Sequence, residues 1–141
     1  MKRTAVRTLH HGRRHEICDI IIRGKSPVER FIDGLCKEDQ QKLTALLQRT
    51  SDEGLPANRE KFKKIEDDLF EFKSFQVRVF CTIRGQRIIL LNGVIKKKDR
   101  HDQEDVDKAK RLLKEAGLEV KKEDKNGKQK LVARKDRKVR R

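Results

Sequence analysis

Apolar positions along the chain change period several times, and each change marks an expected element. Glu16-Ile17-Cys18-Asp19-Ile20-Ile21-Ile22-Arg23 is short and β-branched, which predicts a strand. Gly24-Lys25 reads as a turn. Ser26-Pro27 opens a helix: serine can cap, proline suits the first helical position, and Glu29 stands three residues after the serine. Val28, Phe31, Ile32 and Leu35 follow at the spacing of one helical face. A second helix is predicted over residues 38–53, with Leu43, Leu46 and Leu47 inward, and Gly54 and Pro56 stop it.

The period then drops to two. In Leu69-Phe70-Glu71-Phe72-Lys73 the phenylalanines share one face, and Glu71 and Lys73 share the other. After a turn near Ser74, Phe75, Val77, Val79, Cys81 and Ile83 are expected on one face, with Gln76, Arg78, Phe80 and Thr82 opposite. Gly85 marks a hairpin. Residues 87–95, with Ile88-Ile89-Leu90-Leu91, are almost continuously apolar, the mark of a central strand buried on both faces. A last helix is predicted over residues 102–116, with Val106, Ala109, Leu113 and Ala116 inward and Gly117 as its stop. The order of elements predicts an α+β domain, a small mostly antiparallel sheet with packed helices.

Charge changes the picture at the two ends. Lysine and arginine number 38 against 23 acids among 141 residues, a formal net charge of +15. Residues 1–15 carry five basic groups and no acid, and residues 117–141 carry eleven basic and four acidic groups. The chain thus divides into a basic arm (1–15), a nearly balanced domain (16–116) and a basic C-terminal extension (117–141). The arm is expected to be aperiodic and mobile. In the extension, Asn126-Gly127 between two short apolar segments is a hairpin signal. Such a field attracts polyanions, nucleic acid foremost. Only 34% of the chain is hydrophobic, and no apolar run approaches the roughly 18 residues of a membrane span. No apolar segment follows the basic start, so a secretory leader is not expected, and a cytoplasmic location is. Cys18, Cys36 and Cys81 sit among apolar neighbours and are expected to be reduced and buried. His11, His15 and Cys18 lack the second ligand pair a zinc site needs, so neither metal nor other cofactor is expected.

Four segments in order resemble the RelE/HigB toxin superfamily, in its phage-derived HigB-like branch. Residues 24–32 look like its G-K-S-P-V-x-x-F helix start, and residues 69–73 resemble its L-W-E-L-R strand. Val77-Arg78-Val79-Phe80 is similar to Y-R-V-x-Y, and residues 90–97 to L-L-H-G-F-x-K-K. The resemblance covers residues 16–116 and implies a RelE-like fold. It also implies a type II toxin that cleaves mRNA on the ribosome without metal, held inactive by a cognate antitoxin, often a small helix-turn-helix protein. A related branch poisons gyrase instead, so the fold alone does not fix the target.

Cleavage by a 2′-hydroxyl needs help with its proton, cations for the charge growing on phosphorus, and an acid for the leaving 5′-oxygen. Between Lys73 and Arg100 stand eight basic residues and one acid, Asp99. Arg78, Lys73 and Lys97 are the expected catalytic cations. Lys96, Lys98, Arg100, His101 and Arg87 are the expected RNA-binding residues. The chain departs from the resemblance in having no Tyr and no Trp. Asn92 also stands where many relatives carry His, and Asn cannot titrate. His101 is a candidate proton donor and Glu71 an alternative base, although a lone Glu on a basic sheet is more often a salt-bridge partner. The alternative is a non-catalytic nucleic-acid-binding protein that keeps the fold.

Overall fold

A computed structural model of the chain describes residues 4–96 and 103–118. Nine elements follow in order: β1 (Thr4–His11), β2 (Glu16–Ile22), α1 (Pro27–Asp33), α2 (Lys37–Glu53), β3 (Phe62–Glu66), β4 (Leu69–Ser74), β5 (Val77–Arg84), β6 (Arg87–Ile95) and α3 (Gln103–Glu115). The six strands form one open sheet in the order β1-β2-β6-β5-β4-β3. Every neighbouring pair is antiparallel except β2 and β6, which run parallel. The fold is therefore α+β, on a mixed sheet that is mostly antiparallel.

Two cores lie on the two faces of this sheet. Under α1 and α2, Val28, Leu43 and Leu46 meet Ile17, Phe72, Val79, Ile88 and Leu90. Under α3, Val106, Ala109 and Leu113 meet Cys18, Ile20, Phe80, Ile89 and Leu91. Neighbouring residues of β2 and β6 thus feed opposite cores, which is why β6 reads as continuously apolar. The expected cap of α1 is present: Ser26 Oγ accepts from the Glu29 amide at 3.1 Å. Gly85 turns the β5–β6 hairpin with a φ of +61°.

The structure corrects two expectations and adds two features that the sequence did not show. Residues 4–11 of the basic arm are ordered as β1, an edge strand on β2. Edge strands tolerate charge, and the inward charge here has a partner. Arg7 donates to both oxygens of Asp19, at 3.1 and 2.6 Å, and Ser26 Oγ donates to Asp19 Oδ2 at 2.6 Å. Asp19 is 0% exposed, so this network pins the edge strand to the start of α1. Secondly, β3 has no apolar alternation of its own and takes its place by pairing with β4. Thirdly, Cys36 is exposed at the N-cap of α2, while Cys18 and Cys81 are buried. Burial pushes both buried thiols up from their ordinary pKa, Cys81 far more strongly and with a further push from Glu71. Lastly, Arg84 is not idle. It grips both oxygens of Asp68 at 2.6 Å and donates to Thr82 Oγ1, Ile83 O and Leu118 O. The hairpin expected around Asn126-Gly127 lies outside the described residues.

Candidate nucleic-acid interface

The β4–β5 hairpin builds the basic end of the sheet. Ser74 pairs with Val77, which leaves Phe75 and Gln76 as a two-residue loop. Such loops match the strand twist only when central residues enter the left-handed region. Phe75 does so, with φ +58°, a costly conformation for an aromatic residue. The sequence reading placed Phe75 inward with Val77. Counting the loop residues instead turns the ring out, and it is 71% exposed.

One cation touches that ring, and others line the cleft beside it. Lys42 Nζ of α2 lies 4.2 Å from its centroid. A cleft of about 310 Å³ runs between the loop and α2, lined by Lys42, Arg49, Lys61, Lys73, Ser74 and Phe75 among others. Glu60 is the acid of this cleft and pairs with Lys73 at 3.4 Å. An exposed aromatic face amid cations suits single-stranded nucleic acid: bases stack on the ring while phosphates meet the charges.

The expected site residues divide into three groups. Lys73 and Arg78 are directly opposite in the β4–β5 ladder, and paired residues point to one face of a sheet. Lys96 joins the same end, because its amide donates to Gln76 O at 2.7 Å, and its Nζ meets Asp105 of α3 at 2.7 Å. Arg87 stands at the other end of β6, opposite Arg84 and 3.5 Å from Glu16. Lys97, Lys98, Arg100 and His101 lie outside the described residues.

Arg78 is only 5% exposed. Its Nη1 donates to Phe75 O at 2.5 Å, and its Nε lies 3.9 Å from Glu71 Oε2, a carboxylate that is itself buried. Arg78 therefore braces the strained loop from beneath, and Glu71 is its ion-pair partner. The sequence reading named Lys73, Arg78 and Lys96 at this end of the sheet but not Phe75, Lys42, Arg49 and Lys61. Lys42 and Arg49 stand seven residues apart on α2 and Lys61 just before β3, and nothing local ties either segment to the β4–β5 loop. Among the described residues, no group of three or more His, Cys, Asp and Glu could hold a metal ion.

A family model of phage-derived proteins, described as Gp49-like (DUF891), matches residues 30–114. The chain belongs to that family. The match runs from within α1 to the last turn of α3, so it contains the loop, the cleft and the basic end of the sheet. The Gp49-like family is associated with RelE-type toxins and is compatible with a toxin–antitoxin context, which suggests an antitoxin as partner. No curated protein matches the chain. Among the described residues, no helix is long and apolar enough to cross a membrane.

Proposed function

We propose that this Gp49-like protein is the toxin of a type II toxin–antitoxin system, of the HigB-like branch of the RelE superfamily. It acts in the cytoplasm as a metal-independent, ribosome-associated mRNA endonuclease. The observation that carries the reading is Phe75, an exposed ring on a cleft lined by four cations, in a chain of a toxin-associated family. The ring stacks a base of single-stranded mRNA. Lys73 and Lys97 meet the phosphate beside it, and Arg78 holds the loop from beneath and adds its charge to that end of the sheet. Lys96, Lys98, Arg100 and His101 extend the contact along the backbone, and Arg87 serves a more distant phosphate.

In the reaction, the ribose 2′-oxygen bonds to phosphorus and the bond from phosphorus to the 5′-oxygen breaks. The products are a 2′,3′-cyclic phosphate and a 5′-hydroxyl. The proton lost from the 2′-oxygen is balanced by one delivered to the 5′-oxygen. Preplaced cations lower the barrier because negative charge grows on the phosphoryl oxygens. An acidic or amphipathic segment of a helix-turn-helix antitoxin would silence the site by covering its charges.

Primer extension on a reporter mRNA after induction tests this reading. New 5′ ends are expected with the parent chain and should vanish in Lys73→Ala. Unbroken mRNA with RNA binding retained would select the alternative, a non-catalytic RNA-binding protein. The observation favouring that alternative is Arg78, whose guanidinium is buried and occupied by Phe75 O.

A further inference from the structure

A second cleft opens where the two parallel strands part. Strands β2 and β6 pair only from Glu16–Arg87 to Asp19–Leu90. Beyond that point β2 stays with β1, while β6 runs on beside β5. The gap at their carboxyl ends lies between α1 and α3 and forms a cleft of about 600 Å³.

Three features give this cleft a chemistry. Its lining includes Asn92, 4% exposed, whose Oδ1 is buried with no hydrogen-bond partner among the described residues. A buried acceptor without a donor costs stability, so its persistence points to a donor supplied from outside. Its wall is Phe31, packed so closely on Gly93 that a Cβ there would stand 2.3 Å from the ring. Its rim carries Arg23, Lys25, Arg30 and Lys108, all exposed. The one acid, Glu115, is paired with Arg23 at 3.3 Å. Arg23 itself has a φ of +53° in the turn after β2, a strained conformation that places it at the cleft mouth.

We infer that this cleft binds a nucleotide whose base carries an exocyclic amine, adenine above all, with the amine donated to Asn92 Oδ1. The base lies against Phe31, and the phosphate sits among the rim cations. An apolar wall, one buried acceptor and a cationic mouth match a nucleotide's base face, the exocyclic amine of that base, and its phosphate. The ligand is either a free nucleotide or one unit of an RNA strand, and the recognising chemistry is the same. The inference is independent of cleavage. A chain that binds the nucleotide here yet leaves mRNA intact would sink the endonuclease reading and leave this one standing.

The test is a ¹⁵N-edited NMR titration of the full chain with AMP, UMP and inorganic phosphate. AMP should shift Asn92, Gly93 and Lys108. UMP should bind at least about fivefold more weakly, the low end of what one base-reading contact contributes. Inorganic phosphate should move the rim residues alone. Asn92→Leu should abolish the AMP shifts and raise the melting temperature of the free protein, because it removes an unsatisfied acceptor. Should that variant fail to fold, Arg30→Ala combined with Lys108→Ala should weaken AMP binding with the fold intact. Oligo(A) that competes with AMP identifies RNA as the source, and AMP binding without such competition identifies a free nucleotide. UMP binding equal to AMP, or Asn92→Leu binding AMP like the parent, would overturn the inference.

Discussion

Replacing Phe75 by glycine separates the two things this residue does. The left-handed backbone at φ +58° costs a non-glycine residue about 1–2 kcal/mol, and Phe75→Gly removes that strain. Against this, glycine adds freedom to the unfolded chain, worth about 0.4–1 kcal/mol. The cation–π contact with Lys42 is also lost, about 0.5–1 kcal/mol at an exposed site. These contributions cancel to within about 1 kcal/mol, so the variant should melt close to the parent. Phe75→Ala keeps the strain and loses the contact, so it should be the less stable of the two. RNA affinity should respond quite differently. Stacking of one base on an aromatic ring contributes about 1–3 kcal/mol, so both variants should bind single-stranded RNA roughly 5- to 150-fold more weakly. Fluorescence anisotropy of a labelled oligoribonucleotide, at one fixed salt concentration, measures this beside thermal melts of the same samples. Affinity within about twofold of the parent for Phe75→Gly, well short of the fivefold floor for stacking, would refute the stacking role.

Four further outcomes follow from features described above. Arg84→Ala should lower stability by about 2 kcal/mol, between the values for surface and buried pairs, because Asp68 loses a two-point partner. A melting temperature within about 2 °C of the parent, well under the shift expected even for 1 kcal/mol, would show that the pair contributes nothing. Gly93→Ala drives a methyl into the Phe31 ring and should cost about 1–3 kcal/mol in chemical denaturation; an unchanged midpoint would contradict that packing. A thiol reagent should label one cysteine rapidly, Cys36, and reach Cys18 and Cys81 only on unfolding; rapid labelling of all three would refute the burial. The two buried thiols stay protonated in the folded chain at pH values where the unfolded chain ionises. Stability should therefore fall as pH rises above the ordinary thiol value of about 8.5.

What could be read from the sequence was local chemistry. Ser26-Pro27-Val28-Glu29 states a helix start within four residues, and the structure places that cap there. The β4 and β5 alternation carries the facing of Phe72 and Val79 into one core and of Phe80 into the other. Strand β1 was not legible, because Arg7 looks solvated until Asp19, on another strand, is brought beneath it. The parallel pairing of β2 with β6 leaves no local trace, since it joins segments separated by two helices and three strands. The candidate site divides in the same way. Lys73 and Arg78 follow from strand register, whereas the aromatic partner depends on a two-residue loop whose geometry overrides the apparent period. The burial of Arg78 was equally hidden, because a cation opposite a lysine reads as surface until Glu71 and the Phe75 carbonyl are placed beside it.

The parallel junction also sets the order in which the domain can assemble. The meander from β3 to β6 is built from neighbours in the chain and can form early, and the β1–β2 hairpin can form by itself. Joining them closes a long loop, and that step carries the largest entropic cost of the sheet. Until it happens, one edge of β6 stands open, with unpaired amides and carbonyls along its most apolar stretch, Ile88 to Leu90. Folding of this chain is thus a race for a single strand edge. A partner segment that reached it before β2 would hold the domain half-assembled, with β1 and β2 displaced and α1 left without part of its floor.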